Sequence, residues 1–310
     1  MNKICLFCGK PLIAHTNESY WHESCVELFF NNNQIPSFDL DEIVFDNIAF
    51  ENVGNGKITA GVQKKLSLEV ESKRRKKTTF TNKYIIKPSE PKYPYLNEYE
   101  WIGNRLASIC GFRVVQSGLI KHNDKYAYIT KRIDRKTINR HEIKIAMEDF
   151  CQLSNKLTEE KYDGSYEKAW KTIIYKHSNH RLVDTIEYFR MVFFSYVIGN
   201  TDMHLKNFSL IYENYIYKLA PFYDIVPVLM IVNQDEMALT INGKRKNITK
   251  NDFYKFGESI SLDKKMINIC LNSIVSKVDL MIDFIKKSPL NEKEQDRFIE
   301  FIKNRVKQFI

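Results

Sequence analysis

The stretch Gly199-Asn200-Thr201-Asp202-Met203-His204-Leu205-Lys206-Asn207 decides how this chain is read. It follows an apolar run of helical character, Phe189 to Ile198, and precedes two strand-like segments, Phe208 to Tyr212 and Tyr215 to Leu219. Beyond them comes Phe222-Tyr223-Asp224. A helix thus runs into a polar loop with an Asn five residues after an Asp, and a hairpin-sized insert leads to a second Asp 17 residues later. Phosphoryl transfer asks for that set. One carboxylate orients an attacking hydroxyl and takes its proton, while an amide and a second carboxylate hold the magnesium ions that bridge the phosphates. A plain helix-to-strand turn also uses Gly, Asn and Asp. It has no need of the second Asp, nor of Lys206 and Asn207 at these offsets.

The motif Gly-Asn-Thr-Asp-x-His-x-Lys-Asn-Phe, followed by Ala220-Pro221-Phe222-Tyr223-Asp224, resembles the catalytic and metal-binding motifs of the HipA family of bacterial toxin kinases. The resemblance implies an α+β fold, bilobal and protein-kinase-like, with a β-rich N-lobe and a helical C-lobe. It implies ATP and Mg2+ as cofactors, Asp202 as the catalytic base, and Asn207 and Asp224 as magnesium ligands. His204 is expected to brace the loop through hydrogen bonds. Met147-Glu148-Asp149-Phe150-Cys151-Gln152 and Lys161-Tyr162-Asp163-Gly164-Ser165-Tyr166-Glu167 resemble two further family signatures, with no role assigned to them here.

The other half of a nucleotide site lies upstream. Gly54, Gly56 and Gly61 fall within eight residues between segments of strand character, and glycine lets backbone N–H groups approach a phosphate. Hairpin turns are also rich in Gly and Asn. This is not a Walker A loop, because no Gly-Lys-Ser/Thr opens a helix. Ala60-Gly61-Val62-Gln63-x-Lys65-Leu66-Ser67-Leu68 resembles the family's Gly-rich loop, which makes Gly61, Val62 and Gln63 candidate nucleotide-binding residues. The family often carries a serine two residues before the Ala/Ser-Gly pair, and its autophosphorylation ejects the loop. Here that position is Ile58, so the regulatory role is either absent or moved to Thr59.

Tyr84-Ile85-Ile86-Lys87 has strand character, and Lys87 stands where a kinase places the lysine that holds the nucleotide phosphates. Asn97 to Ile109 has helical spacing, with Trp101, Ile102, Leu106 and Ile109 on one stripe and Gly111 as the stop. Glu98 and Glu100 fall in its first turn, and the resemblance makes Glu100 the partner of Lys87. Val114 to Ile120 and Tyr126 to Thr130 read as a strand pair, and Thr130 to Arg135 resembles the family's inter-lobe segment, where adenine stacks. From Glu142 onward the chain is expected to turn helical, ending in helices over Asp263 to Phe284 and Asn291 to Phe309.

The first 25 residues hold three of the six cysteines. Cys5-x2-Cys8 and His22-x2-Cys25 are two close pairs separated by 13 residues, the donor set of a structural tetrahedral zinc site. His15 is an alternative to His22, and a metal-free cluster in a small core is another. Some short HipA-like kinases carry a similar leader, with a Cys-x-x-Cys and a Tyr-His-x-x-Cys ending in Phe-Phe, here Trp21-His22 and Phe29-Phe30. Cys110, Cys151 and Cys270 sit among apolar residues, as reduced core thiols do.

The chain has 310 residues and 44% apolar content, enough to bury a sizeable core in one large or two medium domains. The expected boundaries are a zinc-knuckle-like leader over 1–36, the β-rich lobe over 37–133 and the helical lobe over 134–310. Forty-seven Lys and Arg against 38 Asp and Glu give a net charge of +9, which suits an acidic partner without choosing one. The Lys73 to Lys77 basic run reads as a solvated hairpin tip, since no aromatics accompany it as in nucleic-acid patches. No segment approaches the ~18 apolar residues of a membrane helix, and the start lacks a signal-peptide core, so a cytoplasmic protein is expected, with neither membrane nor direct nucleic-acid contact.

The resulting expectation is an ATP- and magnesium-dependent serine/threonine protein kinase. The resemblance further implies aminoacyl-tRNA synthetases as targets, and a small HipS-like protein and a DNA-binding HipB-like antitoxin as partners. Two other readings stand beside it: a pseudokinase that binds nucleotide or a partner without transfer, and a zinc-containing nucleic-acid-binding protein. The first is opposed by the intact Lys87, Asp202, Asn207 and Asp224, and the second leaves the paired acids without a purpose.

Overall fold

A computed structural model of the protein describes residues 4–12, 20–35, 66–68, 83–122, 125–138, 141–232 and 236–310. The element that carries Lys87 is an antiparallel sheet in the order β1-β2-β4-β3: β1 (Leu66–Leu68), β2 (Tyr84–Lys87), β3 (Ser117–His122) and β4 (Lys125–Lys131). β2 and β4 lie in the middle, so Ile86 and Ile129, directly opposite each other, are both buried. Lys87 ends β2 opposite Tyr128.

Helix α1 (Glu23–Phe30) belongs to the leader, and α2 (Leu96–Ile109) lies across β3 and β4. The apolar stripe expected of α2 is there: Trp101, Ile102 and Leu106 are buried and Ile109 packs against the core. Asn97 ties the first turn to the sheet by donating from Nδ2 to the carbonyls of Lys87 at 3.1 Å and Tyr126 at 2.8 Å.

The remainder is built around α3 (Arg181–Ile198), whose last eleven residues from Tyr188 are buried except Arg190. Against it pack α4 (Lys250–Ser259), α5 (Lys264–Val275) and α7 (Glu292–Val306), while α6 (Val278–Ile285) lies between α2 and α7. Asp263 and Asn291 cap α5 and α7 by accepting from the N–H groups of Met266 at 2.7 Å and Glu294 at 2.9 Å.

Two expectations about this half are corrected. The stretch after Glu142 is not helical at once. β5 (Arg135–Ile138) and β6 (His141–Lys144) form a hairpin, and β7 (Met147–Asp149) pairs with β8 (Ser209–Glu213), which in turn pairs with β9 (Ile216–Leu219). Short segments take strand structure when a partner edge is available, and β8 supplies that edge 60 residues away in sequence. The helix expected over Asp263 to Phe284 is broken at Ser276 and Lys277. The break turns α6 so that Phe284 meets Trp101 of α2, ring centroids 5.4 Å apart. No helix among the described residues is long and apolar enough to cross a membrane.

Candidate active site

Helix α3 delivers the polar loop. Its last turn closes on Gly199, at φ +74°, with the Gly199 N–H donating to Tyr196 at 3.3 Å and the Asn200 N–H to Ser195 at 2.8 Å. The left-handed conformation favours glycine, and a Cβ there would also meet the Phe301 ring at 2.9 Å. The loop then folds on itself. Asn207 donates from Nδ2 to the Asp202 carbonyl at 2.8 Å, and the His204 N–H donates to the same carbonyl at 2.9 Å. The Asp202 side chain remains 46% exposed, whereas Asn207 and His204 are buried.

The hairpin β8–β9 brings the chain back. Phe222 exchanges backbone hydrogen bonds with the segment after α2, donating to Arg113 at 2.7 Å and accepting from Val115 at 3.1 Å. Tyr223 OH donates to the Lys206 carbonyl at 2.9 Å and meets Ser209 Oγ at 2.6 Å, which stitches this segment to the loop. Asp224 takes a left-handed conformation at φ +56°, which Asp tolerates better than most residues.

Lys87 is the meeting point. Its Nζ donates to Glu100 Oε1 at 2.6 Å and to Asp224 Oδ1 at 2.5 Å. The Lys87 and Glu100 side chains are 5% and 1% exposed, so this ion pair is dry, while Asp224 is 24% exposed and reaches water. Burial alone would pull the ammonium pKa down, but the Asp224 and Glu100 carboxylates outweigh it and hold the lysine charged. One cation thus joins β2, α2 and the segment after β9. Asp202 and Asp224 both lie within electrostatic reach of the His204 ring, so the two acids face one region.

Two side chains that touch this loop had no role assigned in the sequence. Tyr162 OH donates to Asp202 Oδ1 at 2.7 Å, and its ring meets the His204 ring edge-on at 5.1 Å. Burial and the Asp202 charge both raise the Tyr162 pKa, which keeps the phenol a donor. Asp149 holds Lys206 Nζ at 3.0 Å and caps the short helix Phe150–Leu153 through the Gln152 N–H at 2.8 Å. Both residues lie in the two stretches after residue 146 singled out in the sequence, which was the available signal. What no motif spacing showed is that the two stretches converge on one loop.

The hydrogen bonds by which His204 braces the loop are backbone ones, its N–H donating to Asp202 and its carbonyl accepting from the Asn207 N–H, each at 2.9 Å. Its Nε2 is 4.0 Å from Asp202 Oδ2, beyond hydrogen-bond reach, and its Nδ1 has no partner among the described residues. Burial holds its pKa below the ordinary 6.5, so the ring is neutral near pH 7 and braces the loop by packing on Tyr162. Thr59, Gly61, Val62 and Gln63 lie outside the described residues. Cys5, Cys8, His22 and Cys25 gather in the leader, with one donor atom from each all within 4.8 Å of one another. The alternative ligand, His15, lies outside the described residues.

Comparisons with known proteins agree with the fold. A family model described as the HipA-like C-terminal domain matches residues 58–281, more than half of the chain. A Haemophilus influenzae protein named "Putative kinase" is 31% identical over 239 residues, covering 68% of this chain and 69% of its own. The serine/threonine-protein kinase toxin HipA of Shewanella oneidensis is 23% identical over 268 residues, covering 80% of this chain and 61% of its own. Two Sinorhizobium fredii relatives share 41% and 47% of their length with it. Among solved structures, HipA of Shewanella oneidensis in complex with HipB and operator DNA superposes with a TM-score of 0.68 at 20% identity, over 95% of this chain and 71% of that one. The Helicobacter pylori proinflammatory kinase CtkA gives 0.53 at 17% identity, over 74% and 86%. The fold is therefore the bilobal kinase-like one. With a family model spanning most of the described core and a relative above 30% identity, the chain belongs to the HipA family of kinase-like proteins.

Proposed function

We propose that this protein is an ATP- and magnesium-dependent serine/threonine protein kinase of the HipA toxin type. The observation that carries the reading is the Lys87 ammonium held between Glu100 and Asp224, beside a loop that leaves Asp202 open to solvent. Lys87, steadied by Glu100, holds the nucleotide phosphates. Asp202 orients and deprotonates the substrate hydroxyl. Asn207 spends its amide nitrogen on the Asp202 carbonyl, so Oδ1 is the atom it offers a cation, and Asp224 supplies a carboxylate. Asn207 and Asp224 would hold a magnesium ion, which would supply positive charge against the nucleotide phosphates. The resemblance assigns Gly61, Val62 and Gln63 to nucleotide binding, and Thr59 would be the regulatory phosphosite where that switch is retained.

A zinc-dependent nucleic-acid reader is the weaker reading for a structural reason. Trp21, Phe29 and Phe30, the leader's aromatics, are buried in the protein's own core rather than offered to bases. By analogy with the HipA–HipB–DNA complex, one partner is a HipB-like antitoxin; the family resemblance adds a small HipS-like protein, a cytoplasmic location and a cellular protein substrate such as an aminoacyl-tRNA synthetase.

The test pairs binding with transfer. The wild type binds ATP in a magnesium-dependent way and phosphorylates a target. Asp202→Asn keeps nucleotide binding and loses transfer ~10²-fold or more, because base and orientation are removed while the phosphate site stays. Asp224→Asn weakens magnesium and ATP binding together. Phosphopeptide mass spectrometry of cells expressing the wild type or Asp202→Asn identifies the target. Transfer by Asp202→Asn at near wild-type rate, or no nucleotide binding by the wild type, removes the basis for the proposal.

A further inference from the structure

We propose that Cys5, Cys8, His22 and Cys25 hold one structural zinc ion, and that this metal knuckle clamps α2, the helix carrying Glu100, onto the sheet. Metal–ligand bonds of about 2.0–2.3 Å in a tetrahedron put sulfur and nitrogen donors about 3.5 Å apart. His22 Nδ1 is 3.4 Å from Cys8 Sγ and 3.6 Å from Cys25 Sγ. The other ring nitrogen, Nε2, lies 3.0 Å from the Pro11 carbonyl. A carbonyl only accepts, so Nε2 carries the proton and Nδ1 presents its lone pair to the sulfurs. An outer carbonyl fixing the tautomer of a metal-binding histidine is the usual arrangement. The His22 N–H approaches Cys5 Sγ at 3.5 Å, as a donor to a thiolate does. The three cysteines are free thiols, and an odd number has no complete disulfide pairing. Four protein donors fill a tetrahedron, which makes the site structural and leaves no position for substrate.

Charge and packing connect the knuckle to α2. Three thiolates around Zn2+ leave a net negative charge. Arg105 of α2 lies within electrostatic reach of all three sulfurs, its guanidinium 5.9 Å from the Phe7 ring centroid, and its Nε has no partner among the described residues. Phe7 stacks on Trp21 at 5.0 Å, and Trp21 Nε1 donates to the Leu119 carbonyl on β3 at 2.8 Å. The Leu119 N–H donates back to Leu6 at 3.0 Å. Tyr84 OH, three residues before Lys87 on β2, donates to the Phe29 carbonyl at 3.0 Å. Gly9 sits so close to α6 that a Cβ there would fall 2.4 Å from Phe284, whose ring also meets Trp101 of α2. A leader of this size has too small a core to set its own shape, and metal binding supplies folding free energy in such modules.

The test uses the full chain without nucleotide, so its outcome is independent of the kinase proposal. Purified protein is expected to contain one zinc per chain. Cobalt exchange should give the thiolate charge-transfer band and the intense d–d bands of tetrahedral coordination by three sulfurs and one nitrogen. His22→Ala should lose the metal and His22→Cys should keep it, which separates a ligand from a packing residue. On chelation, amide hydrogen exchange should accelerate across α2 and β3 and stay unchanged in α5. Protein that carries no zinc and gives no tetrahedral cobalt spectrum overturns the site. Bound zinc whose removal leaves α2 and β3 exchange unchanged overturns the clamp.

Discussion

At the scale of single residues, the informative contacts are those that load one side chain with two duties. Asn207 braces the Asp202 backbone through its nitrogen, which leaves its oxygen for the cation proposed above. Lys87 satisfies two carboxylates at once, and removing it would leave Glu100 buried without its cation, a change of the kind that costs ~3–5 kcal/mol. Tyr162 is the residue whose role is sharpest in the structure. It donates to the Asp202 carboxylate, the base in the proposed reaction, and its ring walls off His204. Hydrogen bonds to charged groups contribute ~1.5–3 kcal/mol. Tyr162→Phe keeps the ring packing and deletes only the hydroxyl. Its kcat should fall ~10-fold or more, with KM for ATP unchanged, since Lys87 and Asp224 are untouched. A wild-type kcat in steady-state kinetics would show that Asp202 is positioned by its own backbone alone.

At the scale of elements, α2 is where burial and helix electrostatics compete. Glu98 lies in its first turn, where the helix dipole favours a carboxylate. Burial wins, and pushes the Glu98 pKa up from 4.5 to about 7. An acid with a raised folded-state pKa is tolerated best when protonated. Its contribution to stability is therefore full below the unfolded value of 4.5 and is lost as pH rises through about 7. The difference in Tm between Glu98→Gln and the wild type should grow in favour of the variant across that window and level off above it. A difference independent of pH would mean that Glu98 reaches water. His204 has the opposite sign. Its lowered pKa means the loop is stable with a neutral ring and loses stability as pH falls through that depressed value.

At the scale of the whole molecule, the two halves meet where α2 crosses the segment after Asp224. Gly103 faces Ile225 so closely that a Cβ would lie 2.2 Å from the Ile225 carbonyl oxygen, a backbone atom with no rotamer to yield. Helix propensity alone favours Ala over Gly by up to ~1 kcal/mol. Overpacking against backbone costs ~1–3 kcal/mol, so the steric cost prevails. Gly103→Ala should lower the urea midpoint and weaken nucleotide binding, because the displaced segment carries Asp224 away from Lys87. A stabilised Gly103→Ala variant would mean that the halves do not approach here. The same junction explains why α5 and α6 are separate helices. A straight rod from Lys264 onward has no means of turning Phe284 toward Trp101 and Gly9.

Much of the site was legible in the sequence because it is written at short range. The Asp202 and Asn207 spacing, the helix running into the loop at Gly199 and the two Cys/His pairs each depend on a few neighbouring residues, where backbone geometry leaves few choices. The pairing of Lys87 with Glu100 was legible too, through the order of family motifs rather than through spacing. Tertiary structure alone decided the rest. Tyr162 reaches Asp202 across 40 positions and Asp224 reaches Lys87 across 137, and neither separation implies contact until α3, the β8–β9 hairpin and the sheet are packed together. The strand β7 follows the same rule, since its partner edge exists only once β8 is in place. The environment of the His204 ring was decided by packing in the same way. A polar loop suggests hydrogen bonds, but burial beneath Tyr162 keeps the ring neutral and removes the partners it would have had in water.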